Sequence, residues 1–287
     1  MSGALGRSCE SRQRAARTPK PGGDVCDSIT REDSFNRSSR TIPYSVKAKV
    51  LILFRMDLAA NLKAIQERIH SACARCGRDP ESVTLLAVTK GQPPEVVNAA
   101  AQLGINLFGE NKVQEAKAKI PLCSGRLHWH MIGHLQSNKS RDAVELFEMI
   151  QSVDSLALAQ ELNKRAEQAS KRLRVMMEVN IAGESSKFGY QPEQLLAELA
   201  QVNALPRLQI EGLMCVPPWT AEPEKLRPLF RRVGEIRREC EEILGAPLAQ
   251  LSMGMSGDFE IAIEEGSTLV RIGTALFGPR PRTRAAE

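Results

Sequence analysis

Apolar runs of strand length alternate with helix-period segments between residues 83 and 272, and few architectures accept that pattern. The runs span 83–89, 105–109, 128–133, 149–153, 174–181, 210–216, 248–254 and 268–272. Helical periods fill the intervals at 94–103, 110–119, 137–147, 155–170, 191–202, 222–244 and 258–265. Apolar strands separated by helices imply parallel pairing with both sheet faces covered. Eight such units in about 225 residues fit a single closed (β/α)8 TIM barrel, compact for its class. An open doubly wound sheet is the alternative. It would usually carry a Gly-rich first βα turn, and no G-x-G-x-x-G follows the first run.

Upstream of the alternation the chain changes character. Residues 1–49 are rich in Arg, Ser, Gly and Pro with few periodic apolar positions, a composition that buries too little surface to offset its ordering entropy. Three origins compete: a disordered tail, a targeting presequence, or an upstream translation artefact. Val50-Leu51-Ile52-Leu53-Phe54 is too short for a signal-peptide core, and the acids Glu10, Asp24, Asp27, Glu32 and Asp33 argue against a transit peptide. We therefore read 1–55 as a disordered or spurious extension, Met56 as the start, 56–280 as the barrel and 281–287 as a short basic tail. An amphipathic helix is expected from Asp57 to about Cys76, with Asp57 as its N-cap.

Composition then excludes several classes. The net charge of +5 is concentrated at the front: residues 1–55 hold 11 Lys and Arg against 5 Asp and Glu, and the rest 28 against 29. A near-neutral folded part implies no basic nucleic-acid surface. No window approaches the roughly 18 apolar residues of a membrane span. Seven cysteines, an odd number, fit a reduced cytoplasmic setting. Cys73 and Cys76 form a C-x-x-C without a second pair at zinc-like spacing, so they read as ordinary helix residues.

Lys90 closes the first run and is followed at once by Gly91-Gln92-Pro93-Pro94. A lysine at the carboxyl end of a buried strand stands where barrels assemble their sites. Desolvation there favours the neutral amine, a nucleophile that forms Schiff bases with aldehydes and ketones. The seventh run leads into Met253-Gly254-Met255-Ser256-Gly257-Asp258, and the eighth into Val270-Arg271-Ile272-Gly273-Thr274. Small residues and the Ser256 and Thr274 hydroxyls at those two strand ends suit a phosphate. Both stretches also read as ordinary tight turns, but their joint occurrence favours phosphate. Lysine on strand one beside a phosphate cup suggests pyridoxal 5'-phosphate. Arg271 would then face the pyridine nitrogen; a guanidinium only donates, so that nitrogen would be unprotonated and the ring a weak electron sink.

These residues lie in long motifs that resemble the pyridoxal-phosphate homeostasis proteins. They include Ala87-Val88-Thr89-Lys90, Phe108-Gly109-Glu110-Asn111-Lys112-Val113-Gln114-Glu115 and Trp129-His130-Met131-Ile132-Gly133-His134-Leu135-Gln136-Ser137-Asn138-Lys139. Ser152-Val153-Asp154-Ser155 and Asn180-Ile181-Ala182-Gly183-Glu184-Ser185-Ser186-Lys187-Phe188-Gly189 continue the series, which ends in the two phosphate-cup stretches. The resemblance covers about residues 57–280. It implies a barrel like the amino-terminal domain of alanine racemase, with an internal aldimine on Lys90. It also implies a phosphate cup including Ser256, Gly273 and Thr274, and an Asn111 contact to the cofactor. Such proteins are thought to buffer or deliver the cofactor, with PLP-dependent apo-enzymes as partners and no robust turnover.

Other residues carry bland readings. His128, His130 and His134 read as hydrogen-bonded strand histidines, since no carboxylate partners are evident nearby for a metal. Lys187 faces the expected site as a cofactor contact or a solvated loop lysine, and Glu264-Glu265 is ordinary helix charge. The rival function is an amino-acid racemase, which needs acid/base groups on both faces of the substrate. In alanine racemase-like enzymes a tyrosine from a second domain across a dimer serves the second face. This chain offers only Tyr44 and Tyr190 and ends at strand eight, so a carrier without turnover, monomeric or weakly dimeric, is expected. A nucleic-acid binder using the basic front leaves the barrel motifs unexplained.

Overall fold

The computed structural model describes residues 44–184, 187–220 and 222–279; the expected tail at 281–287 and most of the expected extension lie outside them. Eight strands form one closed, all-parallel barrel in sequence order. They are β1 (Thr84–Val88), β2 (Leu107–Glu110), β3 (His128–Met131), β4 (Met149–Val153), β5 (Leu173–Val179), β6 (Leu208–Cys215), β7 (Gln250–Ser252) and β8 (Leu269–Ile272). Around them run α1 (Tyr44–Cys76), α2 (Pro94–Ala101), α3 (Val113–Lys119), α4 (Ser140–Leu146), α5 (Leu156–Gln168), α6 (Pro192–Asn203), α7 (Arg227–Leu244), α8 (Phe259–Glu264) and α9 (Thr274–Phe277). Each strand overlaps an expected run, with β2 ending one residue later and β5 and β6 beginning one and two residues earlier, and the doubly wound alternative is excluded because β1 pairs with β8. None of the described helices is long and apolar enough to cross a membrane.

Alternate strand residues face outward into one continuous apolar layer beneath the helices. Ala87, Phe108, Trp129, Ile150, Val175, Leu213, Leu251 and Val270 all belong to it, as the period-2 geometry of strands requires. On α1 the buried positions Leu58, Leu62, Ile65, Ile69 and Ala72 recur every three or four residues, the stripe of a surface helix. Cys73 is buried in the same layer, and the Cys76 thiol donates to Ala72 O. Glu264 and Glu265 are more than helix charge: they receive Arg75, Arg227 and Arg231 and so tie α7 and α1 to the end of α8.

Among the boundaries that differ from the expected ones, four have a clear local reason. Asp57 is not an N-cap, because α1 runs back to Tyr44. The segment 44–56 holds no Gly or Pro, so a helix nucleated downstream propagates through it until the residue after Pro43. Glu110 leaves the expected helix for β2, since its backbone pairs with Met131 and its carbonyl accepts from Ile132 N at 3.0 Å; sheet pairing overrides helix propensity. The expected helix at 137 opens instead with a 3-10 turn, Ser137–Lys139. The one at 222 likewise opens with a 3-10 turn, Pro223–Leu226, before α7. Pro228 lacks the amide that an interior helix position needs and is tolerated only in the first turn, so α7 begins at Arg227.

The barrel interior is unlike its outside. Leu86, Val88, Ile132 and Leu269 form one small apolar cluster, and Met149, Met176 and Met214 another. Between them runs a hydrogen-bonded polar seam. Arg271 Nη1 donates to Ser252 O and Oγ, both at 2.7 Å, and Nη2 donates to Cys215 O at 2.7 Å. Because arginine only donates, the Ser252 hydroxyl is left to donate onward to Gln151 Oε1, 2.7 Å away. The Gln151 amide then donates to His130 Nδ1 at 2.9 Å. His130 is therefore the neutral Nε2–H tautomer, and burial, with Arg174 and His128 adding to it, pushes its pKa down to about 3.

Glu178 on β5 is also buried, and its Oε2 has no partner among the described residues. Burial first, then Asp154, pushes its carboxyl up to about 7, with Arg271 opposing. The folded chain thus holds a proton that the unfolded chain releases above about pH 4.5, so this contribution to stability is present below that pH and lost as pH rises through about 7. We predict that Glu178→Gln is increasingly stabilising relative to the native chain from pH 5 to 8, by up to about 3 kcal/mol. Urea midpoints across that range measure it; a difference independent of pH would contradict it.

Candidate functional site

The carboxyl ends of the strands open into a cavity of about 610 Å³. All six residues singled out from the sequence line it: Lys90, Asn111, Ser256, Arg271, Gly273 and Thr274. Val88, Ile132, Lys187, Val216 and Trp219 line it as well. Trp219 follows two prolines and is 90% exposed. A site at this end follows from the barrel itself, because only the βα loops there are free of the packing that occupies the opposite face.

Lys90 lies two residues past β1, in a turn, and is half-buried. Arg271 is held by three of its N–H groups through the seam, whereas its Nε has no hydrogen-bond partner among the described residues. Asn111 follows β2 directly, and its Oδ1 is buried without a partner among them. The chain can pass this close because residue 133 is glycine: a Cβ there would run into the Asn111 backbone. An acceptor and a donor without partners at a largely apolar cavity are the groups a polar ligand would satisfy.

On the far wall two loops are joined into one cup. The Ser256 hydroxyl accepts from Ala275 N, in the first turn of α9, at 3.2 Å. Asp258 closes the loop carrying Ser256, its Oδ1 accepting from Met255 N at 2.5 Å. Gly254 allows that loop to turn: its φ is +93°, and a side chain would collide with Phe259 and Ala262. Ser267 supports the loop from below, donating to Met253 O at 2.7 Å.

The remaining candidates fall into place beside the cavity or away from it. Lys187 pairs with Glu184 at 3.2 Å while facing the cavity. Phe188 stacks on His134, ring centroids 3.5 Å apart. Two histidines do have carboxylate partners, contrary to expectation: His128 Nδ1 meets Glu148 at 2.8 Å and His134 Nδ1 meets Asp154 at 3.0 Å. Both carboxylates come from the next strand or its end, twenty positions away along the chain, so proximity in sequence did not reveal them. Tyr190 is fully buried behind β5, where burial raises its phenol pKa, and it does not line the cavity. Ser252, Gln151 and Glu178 were assigned no role from the sequence, inward position on a strand being the only signal they carried, and Asp258 was quoted in the strand-seven stretch without its loop-closing role.

Comparison with known proteins agrees with this geometry. Residues 60–281 match the family model described as alanine racemase, N-terminal domain. A pyridoxal phosphate homeostasis protein of Aquifex aeolicus is 42% identical over 226 residues, covering 78% of this chain and 99% of the relative. One of Pseudomonas aeruginosa is 44% identical over 224 residues, covering 78% and 96%. PipY of Synechococcus elongatus, solved with PLP bound, superposes with a TM-score of 0.69 at 36% identity, over 77% of this chain and 100% of that one. With the barrel, the cavity and these likenesses in agreement, the chain belongs to the pyridoxal phosphate homeostasis protein family, built on the alanine racemase N-terminal domain fold.

Proposed function

We propose that the chain binds pyridoxal 5'-phosphate in the barrel-mouth cavity and serves in the cytoplasm as a carrier that buffers the cofactor and yields it to PLP-dependent apo-enzymes. The observation that carries this reading is the convergence on one cavity of a half-buried lysine, an arginine whose Nε donor is uncommitted and a hydroxyl-lined cup. About 610 Å³ lies within the usual range for a small-molecule site. Lys90 supplies the amine that holds the cofactor's aldehyde as an internal aldimine. Ser256, Gly273 and Thr274 receive the phosphate, and Asn111 offers its buried Oδ1 to a donor on the ligand. Arg271 donates from Nε to the pyridine nitrogen and keeps it unprotonated, because a guanidinium has no proton to give up near neutrality. When bound, the cofactor supplies an electron sink, and Arg271 weakens it relative to a carboxylate-paired ring.

The same groups argue against amino-acid racemisation. A second acid/base residue must stand across the ring from Lys90, and Tyr190 is buried outside the cavity. Lys187 reaches the cavity but is engaged with Glu184.

Three outcomes test the reading. Borohydride reduction in the presence of the cofactor should fix it to the peptide carrying Lys90, and Lys90→Ala should abolish both the adduct and the yellow colour; an adduct on another lysine would refute the assignment. Trp219 lines the cavity whereas Trp129 lies in the outer layer. Cofactor addition should therefore quench tryptophan emission, and Trp219→Phe should remove most of the quenching while affinity stays within about threefold. Long incubation with L-alanine should give no D-enantiomer above the Lys90→Ala control by chiral chromatography, while the loaded protein reactivates an apo-transaminase. Lys90-dependent racemisation would overturn the carrier reading.

A further inference from the structure

Lys90 leaves β1 between two backbone groups that one buried ionic cluster holds in place. Lys119, the last residue of α3, donates to Thr89 O at 2.7 Å, to Glu110 Oε1 at 2.6 Å and to Glu115 Oε1 at 2.8 Å. Those bonds use all three donors of an ammonium. Thr89 Oγ1 donates to the same Glu110 oxygen at 2.6 Å. Gly91 N donates to the same Glu115 oxygen at 2.5 Å. The carbonyl before Lys90 and the amide after it are thus tied to a single cation.

Stability does not account for such a cluster. Taking ions out of water is costly, and a well-packed apolar replacement is often neutral or better. Lys119 is 5% exposed and Glu110 fully buried. Burial pushes the Glu110 carboxyl up, against the hydrogen bonds from Lys119 and Thr89, and its Oε2 finds no partner among the described residues. What the cluster secures is direction, since an ammonium with all its donors engaged in a confined space lets neither Thr89 O nor Glu115 drift. None of its three charged members lines the cavity, so they act on a ligand there through the backbone they hold: Glu110 beside Asn111, and Lys119 and Glu115 around Lys90.

We propose that Lys119, Glu110 and Glu115 are positioning residues for Lys90: they fix the turn from Thr89 to Gly91 so that the Lys90 amine meets the cofactor's aldehyde at a productive angle. This rests on the role of Lys90 proposed above. Condensation joins the Lys90 nitrogen to the aldehyde carbon and releases the aldehyde oxygen as water, with both hydrogens coming from the neutral amine. A turn free to swing would leave the amine present and reactive yet poorly aimed.

Glu115 is the safe place to test this, because it is 29% exposed and its replacement leaves the buried pair intact. Glu115→Ala should weaken pyridoxal 5'-phosphate binding about tenfold, or about 1.4 kcal/mol, and shift the pH midpoint of the imine absorbance band. Glu115→Gln, which still accepts from Gly91 and Lys119, should restore both to within about twofold. Glu110→Gln with Lys119→Met should lose affinity similarly while keeping its thermal midpoint. A second readout needs no cofactor: the pH profile of Lys90 acetylation by limiting reagent, followed by peptide mass spectrometry, should change in Glu115→Ala and recover in Glu115→Gln. Native affinity, imine midpoint and labelling profile in Glu115→Ala would overturn the proposal, whatever its thermal midpoint; should the double variant not fold, the two Glu115 variants decide alone. A borohydride adduct away from Lys90 in the native chain would instead refute the cofactor assignment, and the labelling profiles would still report on the clamp.

Discussion

Closure of the barrel through β1 and β8 is the contact on which the rest depends. Thr84 pairs with Leu269, Leu86 with Arg271 and Ala87 with Ile272. In that register the chain emerging from β1 with Lys90 and the chain emerging from β8 with Gly273 and Thr274 open into one cavity. A one-residue slip would turn Arg271 out of the interior and into the apolar layer beneath the helices. Arg78 reinforces the seam at its lower end, donating to Ile263 O at 2.7 Å and Ser267 O at 2.8 Å. Ser267 in turn donates to Met253 O, so closure and the shape of the cup are coupled.

The division of labour between the two faces of the strands explains how the barrel tolerates so polar an interior. The outward residues and the helices share one continuous apolar layer that supplies most of the buried aliphatic surface. The interior needs only two small apolar clusters and can hold Arg271, Ser252, Gln151, His130 and Glu178. Its polar groups are expensive unless matched, and the seam matches all of these but Glu178 in a single direction, from a residue that can only donate to one that must accept. Arg271 consequently has no freedom to reorient, and a ligand meets it already aimed. The Lys119 cluster follows the same logic outside the cavity: buried charge spent on orientation.

Much of this was legible in the chain. The eight strands could be read because burial on both faces makes them near-continuous apolar runs, and the helices because their buried stripes recur every three or four residues. Lys90 carries little weight alone, since strand-end lysines are commonly surface charges; it stood out through the strand-seven and strand-eight stretches, and Arg271 through the cofactor that the three together suggested. Boundaries were harder. Glu110 has the propensity of a helix residue and became a strand residue through pairing with Met131, and α1 began at Tyr44 because nothing between it and Asp57 could stop a helix. The histidine partners were missed because Glu148 and Asp154 reach His128 and His134 across neighbouring strands.

Residue order alone determined the class of fold and which strand-end residues meet at the cavity, because the strand ends of a parallel barrel must converge, whereas Val216, Trp219 and Leu226 joined them only in the folded chain. It could not determine the partners. Ser252 reaches Gln151 across 101 positions, Arg271 reaches Cys215 across 56, and Lys119 crosses 30 to hold Thr89. Only the closed barrel decided that Lys119 is a buried strut while Lys90 is the cavity amine, that Glu178 lies where its charge is disfavoured, and that Tyr190 is sealed away from the site. Periodicity registers which face a residue occupies, because that depends on its immediate neighbours. Hydrogen-bond geometry and the dielectric around a charge depend on groups brought together by closure, and these exist only once the chain has folded.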